Sequence, residues 1–132
     1  MKTRRVATDA ALIAFTWVDS EVASVHVEPE SIEIRLSAAH LCGAAERYLP
    51  GVVLRLQGRL RGGNAQDALG RVVAASLIIQ GQSTRQLPVP SQTEAAFTLS
   101  LWFGHGAALE VEGRRLDVLL PQDPRIIERL SC

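Results

Sequence analysis

The sequence predicts an all-β protein, an antiparallel β-sandwich or open barrel of about seven to eight strands. First, apolar and polar residues alternate in several short segments, and this period of two puts the apolar side chains of a strand on one face. Second, residues that favour turns interrupt these segments roughly every ten residues, as in sandwiches and barrels. No alternation of strands with helices favours a parallel sheet.

The chain is long enough for one domain with its own core. It has 132 residues, of which 47% are apolar and 21% charged, a composition typical of globular proteins. A chain of this size buries roughly two thirds of its unfolded surface. We therefore expect one β-rich domain over residues 1–132, with the polar residues 1–9 loose.

Charge and cysteine content limit the partners. Basic and acidic residues number 14 each, which argues against a general affinity for nucleic acid or an anionic membrane. No apolar stretch is long enough to span a bilayer. Cys42 and Cys132 form neither a CxxC pair nor a disulfide framework. We expect a cytoplasmic protein with free thiols, and neither a nucleic-acid nor a membrane partner.

A first strand and a hairpin open the chain. The apolar run Ala11–Val18 predicts the strand, and Asp19 and Ser20 then predict a turn, because both side chains can bond nearby backbone N–H groups. The hairpin follows around a four-residue turn that contains Pro29. A turn of that length places Val27 opposite Ile32.

Two short helical segments complete the fold class. Ser37 can cap a helix that ends before Pro50. Four apolar residues share one face of that helix: Leu41, Ala44, Ala45 and Tyr48. The C-terminal tail, residues 123–130, predicts one or two helical turns, with Asp123 as the cap and Pro124 as the first helical residue.

The middle of the chain predicts two strands of different character. Residues 52–61 alternate between apolar and polar, but Gly58 stands at an apolar position, which indicates a bulge or a close backbone approach. In residues 72–79 only Ser76 is polar. A strand that is apolar on both faces is usually covered twice. We expect Val73 to face the core and Val72 the opposite side.

Residues 97–120 predict a meander of three antiparallel strands. Four large apolar residues alternate along the first strand: Phe97, Leu99, Leu101 and Phe103. Gly104 and Gly106 allow the first reversal, because glycine tolerates a positive φ. A second turn at Gly113 places Val111 opposite Leu116 if its loop is Gly113-Arg114. A Glu112-Gly113 loop slides the register by two residues and keeps the same face inward.

The run Phe15–Val22, FTWVDSEV, followed by the proline-containing hairpin, resembles the opening of small uncharacterised bacterial β domains. Some similar proteins are immunity proteins of toxin systems. Those openings often carry an aromatic residue followed by His-Asp-Ser, and Val18 stands here in the histidine position. The resemblance covers about the first third of the chain, and it implies a non-enzymatic, interaction-type protein.

The sequence offers two candidate chemical sites, a metal site and a cysteine nucleophile, and we expect neither. His40 and Cys42 share a strand face and form half of a metal site, which His105 or Cys132 could extend toward the three or four ligands that zinc prefers. Alternatively, Cys42 could be a nucleophile with His26, His40 or His105 as its base. The spacing matches no zinc pattern, and no nucleophile elbow surrounds Cys42. We therefore expect no metal, no cofactor and no catalysis.

Three arginines, Arg55, Arg59 and Arg61, share the outer face of one predicted strand. They form a candidate patch for an anion or an acidic partner. The other reading is that they pair across strands with carboxylates of the meander.

The second apolar face of residues 72–79 predicts an interface. Four residues are its candidates: Trp102, Ile78, Val72 and Val53. A monomer rarely exposes a contiguous apolar patch beyond a few hundred Å², so we expect a two-fold homodimer. The hypothesis is therefore a non-catalytic protein-interaction or self-associating module. The alternative is a small-molecule-binding β-barrel or a minor enzyme, which requires a hollow interior.

Overall fold

The computed structural model describes residues 14–42 and 47–121 and is all-β. Its ten strands, in chain order, are β1 (Ala14–Val27), β2 (Ser31–Cys42), β3 (Arg47–Leu49), β4 (Val53–Gly63), β5 (Gly70–Ile79), β6 (Gln82–Ser83), β7 (Leu87–Pro88), β8 (Ser91–Thr93), β9 (Phe97–Phe103) and β10 (Ala108–Leu119). Strands β1, β2, β4, β10, β9 and β5 pair antiparallel in that order, and β5 pairs with β1. The six strands therefore form a closed barrel, where the sequence predicted a sandwich or an open barrel.

The short strands extend the barrel wall, with β3 beside β2, β7 beside β1, β6 beside β5 and β8 beside β10. Apolar side chains from all six barrel strands are buried in the interior. Two from each strand are Phe15 and Trp17, Ile32 and Ile34, Leu54 and Leu56, Val72 and Leu77, Leu99 and Leu101, and Val111 and Val118. The described ranges contain no helix with the length and hydropathy needed to cross a membrane.

The hairpin between β1 and β2 has the predicted register. Val27 pairs with Ile32, and Val25 with Ile34. The turn length determines this pairing, because each residue added to the turn shifts the opposing strand.

The predicted turn at Asp19 and Ser20 is wrong, because β1 runs through both residues. The β1–β2 register shifts between Thr16 and Glu21, and Asp19 adopts a φ of 74°. Aspartate is among the few non-glycine residues that tolerate this left-handed conformation. The two residues therefore form an irregularity within a strand instead of reversing the chain.

The predicted helix near Ser37–Leu49 is also wrong where the structure describes it. Ser37 to Cys42 continue β2, and β3 pairs back on it, with Leu49 opposite Ala39. Cross-strand pairing outweighs the weak helical pattern, which is the usual effect of tertiary context on short segments. The predicted loose segment 1–9 and the helical tail 123–130 lie outside the described residues.

The predicted meander has two strands, β9 and β10, instead of three. Gly113 lies inside β10 and pairs with Gly58 of β4, and the register shifts directly after it. A Cβ on Gly58 would lie 2.2 Å from the Glu112 carbonyl oxygen. A Cβ on Gly113 would lie 2.3 Å from the Gln57 carbonyl oxygen. The close backbone approach expected at Gly58 is confirmed.

Candidate functional site

The barrel closes at a seam between β1 and β5 that is only partly paired. The two strands pair at Glu21 with Arg71 and at Val22 with Gly70. At its other end β1 pairs with β7 instead, through Ala14 and Phe15. A cleft of about 640 Å³ lies over the unpaired part of the seam. We call it the seam cleft, and it is lined by Thr16–Asp19, His40, Cys42, Val73–Leu77 and Ser83–Gln86.

An ion pair spans the seam next to this cleft. The Nε of Arg71 donates to Oδ1 of Asp19 at 3.1 Å. The left-handed backbone of Asp19 presents its carboxylate to β5. The hydrogen bond from Arg71 holds the pKa of Asp19 below its ordinary value of 3.8. Asp19 is therefore charged and neutralised by its neighbour at physiological pH.

Ser20 connects β1 to β2 where their ladder is interrupted. Its hydroxyl donates to the carbonyl of Thr16 at 2.8 Å and accepts from the backbone N–H of His40 at 2.8 Å. Ser20 is fully buried, so both bonds are shielded from water. Asp19 thus connects β1 to β5, and Ser20 connects β1 to β2.

The imidazole ring of His40 contacts Val18, Cys42 and Tyr48. Its Nδ1 lies 3.0 Å from the carbonyl oxygen of Val18, which can only accept, so Nδ1 carries the hydrogen. Its Nε2 lies 3.8 Å from Sγ of Cys42. The imidazole stacks on Tyr48, with 5.0 Å between ring centroids. These contacts fix the ring as part of the cleft wall.

His40 lies beside Cys42, but the structure does not bring His26 or His105 to this pair. His105 lies in the β9–β10 turn, where its Nε2 is 2.8 Å from the Asp67 carbonyl oxygen. His26 is in the β1–β2 hairpin, 3.7 Å from Glu28. Within residues 14–42 and 47–121 no three potential ligands cluster around a metal position. Cys132 lies outside those ranges.

Two of the three patch arginines are paired with carboxylates. Arg55 lies 3.4 Å from Glu33 of β2, and Arg61 lies 2.8 Å from Glu112 of β10. No such pair involves Arg59 in the described part of the chain. Arg59 and Arg61 line a second open cleft of about 910 Å³, next to the Gly58–Gly113 contact. Guanidiniums and carboxylates alternate here, which is the cross-strand pairing expected of a solvated face.

Three exposed large apolar residues lie on the outer side of the neighbouring strands β5 and β9. Trp102 is 44% exposed, Ile78 40% and Val73 51%. Ala74 is directly opposite Trp102 in the β5–β9 ladder. We call these four residues the apolar face. Trp102 and Ile78 as interface residues remain a prediction.

Val72 and Val53 are not part of this face. Val72 is fully buried in the barrel, because a register shift between Val72 and Ala74 turns Val72 inward and Val73 outward. This exchanges the sides predicted for the two valines. Val53 lies on β4, whose neighbours are β2 and β10, and it is therefore not adjacent to β5 or β9.

No protein-family model, curated protein or solved structure matches the chain. The resemblance to immunity-type β domains therefore stays a prediction.

Proposed function

We propose that this protein is a non-catalytic interaction module that self-associates through the apolar face into a two-fold homodimer. The observation that carries the proposal is the exposure of Trp102, Val73 and Ile78 on two paired barrel strands. Large aromatic residues at such positions are enriched in interfaces, where they dominate the binding energy.

A second copy is the favoured occupant because the apolar face carries no charge. The outward positions between its members, Ser76 and Ser100, pair with each other and are also uncharged. Two such faces can meet without like-charge repulsion and without burying an unpaired ion. A strongly charged partner gains nothing there, whereas the arginine side of the barrel does present charge.

The barrel interior supports this choice over a ligand-binding barrel. Inward positions of all six strands carry buried apolar side chains. A ligand inside the barrel requires room and a few convergent polar groups. The buried polar residues that the structure describes, Ser20, His40 and Asp117, do not converge there, since each has a partner in the barrel wall.

Light scattering coupled to size exclusion tests the dimer. We expect roughly twice the chain mass of 14.3 kDa at high micromolar concentration. Trp102→Glu and Ile78→Arg should each give the single-chain mass. Val27→Glu is the matched control, because Val27 is 41% exposed in the hairpin, away from the apolar face. A wild-type monomer, or equal effects of all three substitutions, contradicts the proposal.

A further inference from the structure

We propose that the seam cleft is a second binding site, which takes an extended peptide segment carrying an acidic side chain by adding it as a strand to β5. This binding mode uses the backbone hydrogen-bonding groups of an unpaired strand edge for affinity. The inference goes beyond the proposed dimer, because its ligand is a peptide and its main contacts lie in the seam.

The direction of the β5 backbone supports strand addition. In an antiparallel pair, a residue directs both backbone groups either toward its partner strand or away from it, and this alternates along the strand. The Thr84 N–H donates to the Leu77 carbonyl at 2.7 Å, so the backbone N–H and carbonyl of Leu77 point away from β9. Ala75, two residues earlier, points the same way, into the seam. Ser76 points toward Ser100 of β9.

The seam leaves these groups of β5 without a paired strand. The ladder between β1 and β5 ends at Glu21 and Arg71, and β6 pairs only with Ile78 and Ile79. The Leu77 carbonyl already accepts from Thr84, so residues 72–76 of β5 have a paired neighbour on one side only, β9. At about 3.3 Å per residue, this edge accommodates a segment of about five residues.

The charges in the cleft indicate that the bound peptide carries an acidic side chain. The carboxylate of Asp19 is neutralised by Arg71. Arg85 also lines the cleft, and no ion pair joins it to a carboxylate among the residues that the structure describes. A glutamate or aspartate of the peptide can pair with this guanidinium.

Amide exchange of the full chain tests the open edge. We expect the Ala75 N–H to exchange at least ten-fold faster than the Ser76 N–H, which faces β9. Equal protection of the two amides overturns the proposal, because the edge is then already paired, with another segment of the chain or with a second copy.

Selection from a displayed library of random peptides tests binding. The enriched peptide is synthesised and titrated into wild type and into Trp102→Glu, because the apolar face and the cleft meet at Val73 and Ala74. We expect binding to both proteins, protection of the Ala75 amide, and weaker binding to Arg85→Gln. Failure with both proteins overturns the peptide site and leaves the dimer proposal untouched.

A proline at position 75 tests the backbone contact directly. Ala75→Pro removes an N–H that faces the seam and no bond to β9, a position where strands tolerate proline. Ala75→Pro should weaken binding of the peptide at least ten-fold, whereas Ala75→Gly, which keeps the N–H, should not.

N-methylation of alternate peptide residues gives a test that leaves the protein unchanged. Methylation of one set of alternate positions should abolish binding, because those N–H groups face β5, and methylation of the other set should not. Equal effects of the two sets overturn strand addition.

Discussion

The hydroxyl of Ser20 lies 2.8 Å from the backbone nitrogen of His40 and closes the gap where the β1–β2 ladder is interrupted. No residue between Thr16 and Glu21 pairs with β2. His40 is in register with Thr16, and the Ser20 hydroxyl bridges the two by accepting from the buried His40 N–H and donating to the Thr16 carbonyl. One side chain therefore replaces part of the missing ladder.

Ser20→Ala should destabilise the protein by about 1–3 kcal/mol, because it removes the hydroxyl that accepts from the buried His40 N–H and donates to the Thr16 carbonyl. Urea unfolding followed by tryptophan fluorescence measures the change. Ser24→Ala is the control, since Ser24 is exposed on the same strand and should cost little. Equal costs for the two substitutions would show that the Ser20 bonds contribute nothing.

Gly58→Ala should cost about 2–3 kcal/mol, because the added Cβ meets the Glu112 carbonyl and must displace a backbone. Gly62→Ala on the same strand is the matched control. Its Cβ lies 3.7 Å from the Glu110 side chain, an ordinary contact, so its cost should be below about 1 kcal/mol. Thermal and urea unfolding of both variants measure these losses of stability. A tolerated Gly58→Ala contradicts the close approach.

Asp19→Asn should change the acid stability of the protein. The pKa of Asp19 is depressed in the folded state, so its contribution is present above its ordinary pKa of 3.8 and is lost as pH falls through the lowered value. Asparagine keeps the left-handed conformation but cannot form the ion pair. Wild type should be more stable than the variant at neutral pH, and the difference should shrink as the pH falls below 3.8. A difference that is constant with pH would contradict this.

Trp17→Phe should cost less than about 1.5 kcal/mol, although Trp17 is only 3% exposed. Its indole N–H is buried without an acceptor in the described structure, and phenylalanine removes that unpaired donor. Trp17→Ala should cost about 3–5 kcal/mol, because it leaves a cavity. Similar losses for both variants would mean that the indole nitrogen is well accommodated.

Local patterns predicted much of the strand arrangement. The hairpin register followed from a four-residue turn, and Gly58 marked the contact with Gly113 because a small residue replaced an expected apolar one. Closure of the barrel could not be predicted in this way. It depends on Glu21 meeting Arg71, and no periodicity in either segment indicates which distant strand is its neighbour.

Two of the errors, the turns predicted at Asp19-Ser20 and at Gly113, share one physical cause, a single-residue change in alternation. The buried positions Val111 and Leu116 are five apart, a spacing that either a two-residue turn or a bulge can produce. The same odd spacing separates the buried residues Trp17 and Val22. It marks the irregularity at Asp19 and Ser20, where the sequence predicts a turn. The Asp19–Arg71 pair was therefore missed, although the broken alternation was visible.

The barrel has one short joint in an otherwise well-paired ring. Two residue pairs connect β1 to β5, whereas every other joint of the ring has five or more. Transient opening of a native structure begins where the fewest bonds must break. Opening at this joint leaves a continuous curved sheet that retains all other pairings, so the circumference of the barrel can change at low cost at one place.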